Sequence, residues 1–290
     1  MGISASIRRR LRRPRRVWIA IAVAAGILEG GRQYLALHSH PFESVSDRAK
    51  RLSSEQDIVI SYGHPSTFFV APYGPADALI DDMQMIGAAP EVLAPALEGV
   101  EAALNMYPPR FVSGIVGAIF IAGDLRVGSE RAGGSTGPAW IILAAPDSFG
   151  SDGVRLNAFE GVHHELSSFV LQKANVNEEW AAFSPAGSAF TNTNERALAR
   201  GTDPAPSPET GFLSAYAATT AENDFNTYAE RIFTDADTLV ALACKHPLVR
   251  KKLLFVLRTY VVLDERMDRV FRELGVDGAH LCERRWRWPW

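Results

Sequence analysis

The sequence predicts an α+β domain, a small early sheet followed by a mainly helical half, set behind a basic and apolar N-terminal segment. Three observations carry this. Short apolar runs rich in β-branched residues and bounded by Gly and Pro fall before residue 145, helical spacing of apolar side chains dominates from residue 156 onward, and seven arginines with no acid crowd the first 16 residues.

The arginines (Arg8, Arg9, Arg10, Arg12, Arg13, Arg15, Arg16) precede an apolar run from Val17 to Leu28. Twelve helical residues rise about 18 Å, short of the roughly 30 Å hydrocarbon core, so the pattern fits the hydrophobic region of a signal peptide better than a spanning helix. Residues 1–35 are therefore expected to be an export signal or membrane anchor, with the remainder outside the cytoplasm. Without the arginines the chain carries 23 basic against 33 acidic side chains, a formal balance of −10. A body that acidic lacks the clustered positive surface that nucleic acid requires.

The body, residues 45–275, is long and apolar enough for one core. Residues 57–61 (Asp-Ile-Val-Ile-Ser) predict a first strand. Helical spacing over 77–106 predicts a helix with breaks near Pro90 and Pro95, stopped by Pro108-Pro109. A second strand is expected over 111–122, and the glycine-punctuated stretch 123–137 reads as a flexible connection. Residues 139–144 predict a further strand. Phe159, Val162, Leu166, Phe169 and Val170 then mark a helix over 156–174. Residues 184–211, rich in Pro, Gly, Ser, Thr and Asn, predict a long loop, and helical patterns return over 224–233, 236–245 and 247–274. Residues 276–290 form a Trp/Arg-rich tail. Cys244 and Cys282 lack the spacing of a thiolate zinc site; they could pair in an exported protein, and otherwise read as incidental.

The chemistry centres on His163-His164-Glu165-Leu166-Ser167-Ser168. On a helix, His164 and the position four residues on share a face, and Glu165 sits about 100° round from His164. Such a frame lets two histidines hold a metal while a glutamate takes a proton from metal-bound water. Here Ser168 fills the second histidine's position. A second candidate cluster follows in Gly211-Phe212-Leu213-Ser214-Ala215-Tyr216 and in 222–230 (Glu-Asn-Asp-Phe-Asn-Thr-Tyr-Ala-Glu).

Over residues 110–235 these segments resemble the zincin metallopeptidases, specifically the gluzincin-like branch, with a degenerate His-Glu-x-x-Ser motif. The resemblance implies a zincin-like fold in which residues 140–144 occupy the place of the edge strand that pairs with an extended peptide. It implies a zinc ion held by His164 with one or more of His163, Asp224 and Glu230, Glu165 as general base, and Tyr216 as a hydrogen-bond donor to the transition state. One alignment puts the acidic ligand position on Asn226; sliding the register favours Asp224 or Glu222. Glu160, four residues before His164, is a further carboxylate on its face. Two functions follow as expectations: a zinc-dependent peptide hydrolase outside the cytoplasm, or, because of Ser168, a catalytically inactive zincin-fold protein that binds a peptide or partner at the cell envelope.

Overall fold

The computed structural model describes residues 43–64, 67, 68, 72, 73, 83–128, 130–183 and 208–282. The N-terminal basic and apolar segment, residues 184–207 and the Trp/Arg residues beyond 282 lie outside them. The chain from Ser44 onward forms one compact unit, distinct from residues 1–43.

Helix α1 (Val45–Gln56) leads into β1 (Val59–Tyr62), and β2 (Met83–Gly87) leads into α2 (Pro90–Leu104). The strands β3 (Ala118–Val127), β4 (Glu130–Arg131), β5 (Gly134–Thr136) and β6 (Trp140–Ala144) follow. Then come α3 (Gly150–Ala174), α4 (Asn177–Ala181), α5 (Ala221–Thr234), α6 (Ala236–Lys245), α7 (Pro247–Leu263) and α8 (Met267–Glu273). The expected order of small sheet, motif helix and helical half is what the structure shows.

Strand β3 is the centre of the sheet. It runs parallel to β1 on one side and to β6 on the other, and its second half pairs antiparallel with β2 and β4. Strand β5 pairs antiparallel with β6 and is the outer strand of the path β1-β3-β6-β5. All five residues of β6 are buried. A central strand covered on both faces reads as a continuous apolar run, which is why 140–144 shows no alternation. The place of the edge strand therefore passes from residues 140–144 to β5, a correction to the sequence expectation.

Other differences have local causes. Residues 83–87 form a strand rather than helix, because their pairing with β3, through a register shift between Met85 and Gly87, outweighs their propensity. The strand expected over 111–122 is displaced to 118–127, since 111–115 is a turn held by Gly114 N donating to Arg110 O at 3.1 Å. Within 123–137, Gly123, Gly133, Gly134 and Gly137 serve close packing, a Cβ on Gly137 colliding with the Trp140 indole, while Gly128 takes a left-handed turn at φ 61°. The single helix expected over 247–274 breaks at Asp264, whose carboxylate accepts from Arg266 N at 3.0 Å and from its guanidinium at 2.6 Å.

Side chains alternate across the sheet and separate two layers. Ile119, Ile121, Ile141 and Leu143 face α2 and α3 in the main core, whereas Ala118, Phe120, Trp140 and Ile142 face away, packing with Phe68. Helix α3 is the hub. Its residues Val154, Ala158, Val162 and Leu166 are buried in the main core, and α2 crosses it so closely at Gly99 that a Cβ there would strike the Arg155 carbonyl. Its C-terminus is closed by Asn175 in the left-handed conformation (φ 55°), an amide tolerating what other side chains resist. Cys244 and Cys282 form a disulfide across 38 residues with Cα atoms 5.6 Å apart, so they are not incidental.

Candidate functional site

Helix α3 presents three faces to three environments. Its His164 face opens into a cavity of about 260 Å³ walled by Ala132, Gly133 and Gly134 before and within β5, by Asn157, Glu160, Gly161 and Glu165 of α3, by Tyr216, and by Glu230 of α5. His164 Nδ1 lies 3.0 Å from Glu230 Oε2. Burial opposes charging this imidazole, but the hydrogen bond to Glu230 and the field of Glu165, Glu230 and Glu222 outweigh it and hold its pKa above the ordinary value. The Tyr216 ring stands 5.7 Å from the His164 ring, and burial followed by the same carboxylates raises its hydroxyl pKa, keeping it a neutral donor.

Glu165 is pushed up to about 7, first by burial, with His164 opposing and Glu222 and Glu230 adding to the rise. Glu160 is raised by burial and by Glu230, against Arg231. The Glu165 carboxylate passes directly under β5, because Gly134 has no side chain; a Cβ there would lie 2.6 Å from Glu165 Oε1. The pair Gly133-Gly134 was the sequence signal for this close approach, and it reads equally as a flexible connection until β5 is seen beside β6.

Among the described residues no strand pairs with the side of β5 away from β6. Ala144 N donates to Gly133 O and Gly137 N to Trp140 O, both at 2.9 Å, which fixes Gly133, Ser135 and Gly137 as the residues bonded to β6. In an antiparallel ladder the intervening residues, Gly134 and Thr136, then turn their N–H and C=O groups outward. Gly134 borders the cavity, so the unpaired edge and the His164-Glu165 face meet there.

The second face of α3 meets α5. Ser168, in the second histidine's position, accepts from Asn226 Nδ2 at 2.8 Å, and Ser167 Oγ lies 2.6 Å from Asn226 Oδ1 and also from its own helix's His164 carbonyl. All three side chains are buried. This seam joins the two positions that the resemblance would assign to metal ligands, Ser168 and Asn226, to each other.

Two expected ligands face elsewhere, and both are corrections. His163 is 0% exposed, stacked on Phe233 at 4.2 Å and edge-on to Phe159, with Nδ1 2.7 Å from the Tyr107 hydroxyl. Adjacent helical residues diverge by about 100°, which sends it into the aromatic core rather than the cavity. Burial lowers its pKa to about 3. Asp224 is buried against Lys252 Nζ at 2.7 Å, and that ammonium also donates to Gly211 O at 3.0 Å and lies 4.3 Å from the centre of the Phe212 ring. Lys252 is thus a buried partner of Asp224. Tyr228 donates to the same Gly211 carbonyl at 2.9 Å, so α5 and α7 together pin the start of the loop that carries Tyr216.

Structural or catalytic zinc calls for at least three protein donors converging on one point. The structure brings together His164, Glu165, Tyr216 and Glu230 and does not bring His163 or Asp224. His164 and Glu230 engage each other, and Ser168 and Asn226 are satisfied by each other. Among the described residues no group of three or more His, Cys, Asp or Glu side chains is placed to hold a metal ion. The residues present do not fit the zinc ion that the motif implies.

No protein-family model and no curated protein matches the chain. Among solved structures, the chain is similar to one from Bacteroides caccae described as a "putative zinc-binding metallo-peptidase", at 15% identity and a TM-score of 0.47, covering 82% of this chain and 94% of that one. At that level of likeness the properties of the site rest on its own residues.

Proposed function

We propose that this chain binds an extended polypeptide segment along the free edge of β5, over the cleft formed with α3, and does so without metal-assisted hydrolysis. The observation that carries the reading is the outward-facing backbone of Gly134, which lines the cavity, and of Thr136 two residues along the same strand, a template for strand addition. The Ser167-Asn226-Ser168 seam separates binding from hydrolysis, because it uses up the positions a metal would need.

A second reading, a zinc-dependent peptide hydrolase, is favoured by Glu165, whose pKa near 7 suits a general base, facing Tyr216 as a neutral donor. One experiment separates the two. Incubation with extended peptides, followed by mass spectrometry, is expected to give capture without cleavage in zinc-supplemented and chelated samples alike. Turnover that disappears with chelator and returns with zinc sinks the binding reading and establishes the hydrolase.

The domain is proposed to work outside the cytoplasm, held near the membrane by residues 1–35. The Cys244–Cys282 bridge supports this, since such bonds persist in oxidising compartments. Among the described residues no helix is long and apolar enough to cross a membrane. Thiol alkylation of protein taken directly from cells tests the point: both cysteines are expected to resist the reagent until reduced.

A further inference from the structure

We propose that the cleft selects a segment carrying a lysine or arginine, with apolar side chains at alternate positions to one side of it. This rests on the reading of β5 as a docking edge and adds the chemistry of the occupant.

Gly134 and Thr136 are in register with Leu143 and Ile141, of which Leu143 and Ile141 face the helices. A strand added beside β5 therefore directs every second side chain toward α3. There it meets three carboxylates, Glu160, Glu165 and Glu230, and one imidazole, His164. His164 is already engaged by Glu230 at 3.0 Å, and Arg231 acts on Glu160 only through its field, so among the described residues neither Glu160 nor Glu165 has a cation hydrogen-bonded to it. Glu165 takes no hydrogen bond among the described residues. The cavity of about 260 Å³ has room for a long aliphatic stem. A cationic head gains partners there, whereas a neutral or acidic side chain leaves the carboxylates uncompensated.

An independent feature extends the match. Leu156, one turn before Glu160 on the same face, is 54% exposed, and Phe149, just ahead of α3, is 51% exposed. At about 1.5 Å per helical residue they lie roughly 6 Å and 16 Å from Glu160 along the axis. Strand β5 runs in the same sense, with Gly133 against Asn157 and Gly134 against Glu165. Same-face side chains of a strand recur about every 6.6 Å, so the positions two and four residues from the cation pass over Leu156 and toward Phe149. Apolar side chains there cover surface that is otherwise exposed.

The test is fluorescence anisotropy of the full chain with end-blocked, labelled hexapeptides of alternating Thr and Leu that differ only at one inward position: Lys, norleucine or Glu. The Lys peptide is expected to bind about tenfold tighter than the norleucine peptide or better, with the Glu peptide weakest. Glu160→Gln should cut the Lys advantage to about threefold or less with an unchanged circular-dichroism melt, and Leu156→Asp should weaken the Lys and norleucine peptides together. Equal binding of Lys and norleucine overturns this inference and leaves edge docking standing. Failure of all three peptides to bind takes the docking reading with it. Displacement of the Lys peptide by zinc chloride alone overturns the inference in favour of a metal site.

Discussion

At the scale of single residues, neighbours in the motif have opposite fates. His164 is charged readily by its carboxylate partner, while His163, one position away, is kept neutral by burial among Tyr107, Phe159 and Phe233. The unfolded chain takes up a proton on His163 below about pH 6.5 and the folded one only near pH 3, so its contribution to stability is present above pH 6.5 and lost as pH falls. The full loss is on the order of 4 to 5 kcal/mol, at about 1.4 kcal/mol per unit. Urea unfolding at pH 7 and pH 4.5 should show His163→Phe losing about 2 to 3 kcal/mol less than the parent across that interval; parallel losses would refute the assignment. The sequence showed two adjacent histidines and could not show which one points inward. Asn226 was legible only as a poor metal ligand, since its partner Ser168 lies 58 residues earlier in the chain.

At the scale of elements, β5 illustrates what periodicity misses. Three residues containing one glycine carry no alternation, and the strand exists because β6 pairs with it and because Gly134 lets Glu165 pass beneath. The motif helix, by contrast, was legible from Phe159, Val162 and Leu166, whose spacing reflects one buried stripe. Since Thr136 N–H points away from β6, Thr136→Pro should leave the sheet and melting temperature nearly unchanged while abolishing peptide capture. Ser135→Pro removes a ladder donor and is expected to lower stability by several kcal/mol; equal damage from both prolines would contradict the stated pairing. At the α2–α3 crossing, Gly99→Val should cost at least about 2 kcal/mol in chemical denaturation, because the Arg155 carbonyl offers no room.

At the scale of the whole molecule, an arginine-rich N-terminus, an acidic remainder and a covalent clasp are what the proposal of export rests on. The acidic surplus was visible in composition, and the structure turns part of it toward the cleft. The disulfide was legible only as an option open to an exported protein, since two cysteines 38 residues apart state nothing about proximity; α6 and the chain after α8 bring them together. In the loop-closure account, the bridge stabilises the fold by about 4 kcal/mol. Reduction should lower the denaturant midpoint accordingly, and Cys244→Ser/Cys282→Ser should behave the same in the absence of reductant.

The seam of Ser167, Asn226 and Ser168 reaches beyond the site. It braces two long helices through the chain's own hydrogen bonds, so on the binding reading proposed above this joint needs no ion to close it. Prolonged dialysis against a chelator should leave its thermal transition where it was.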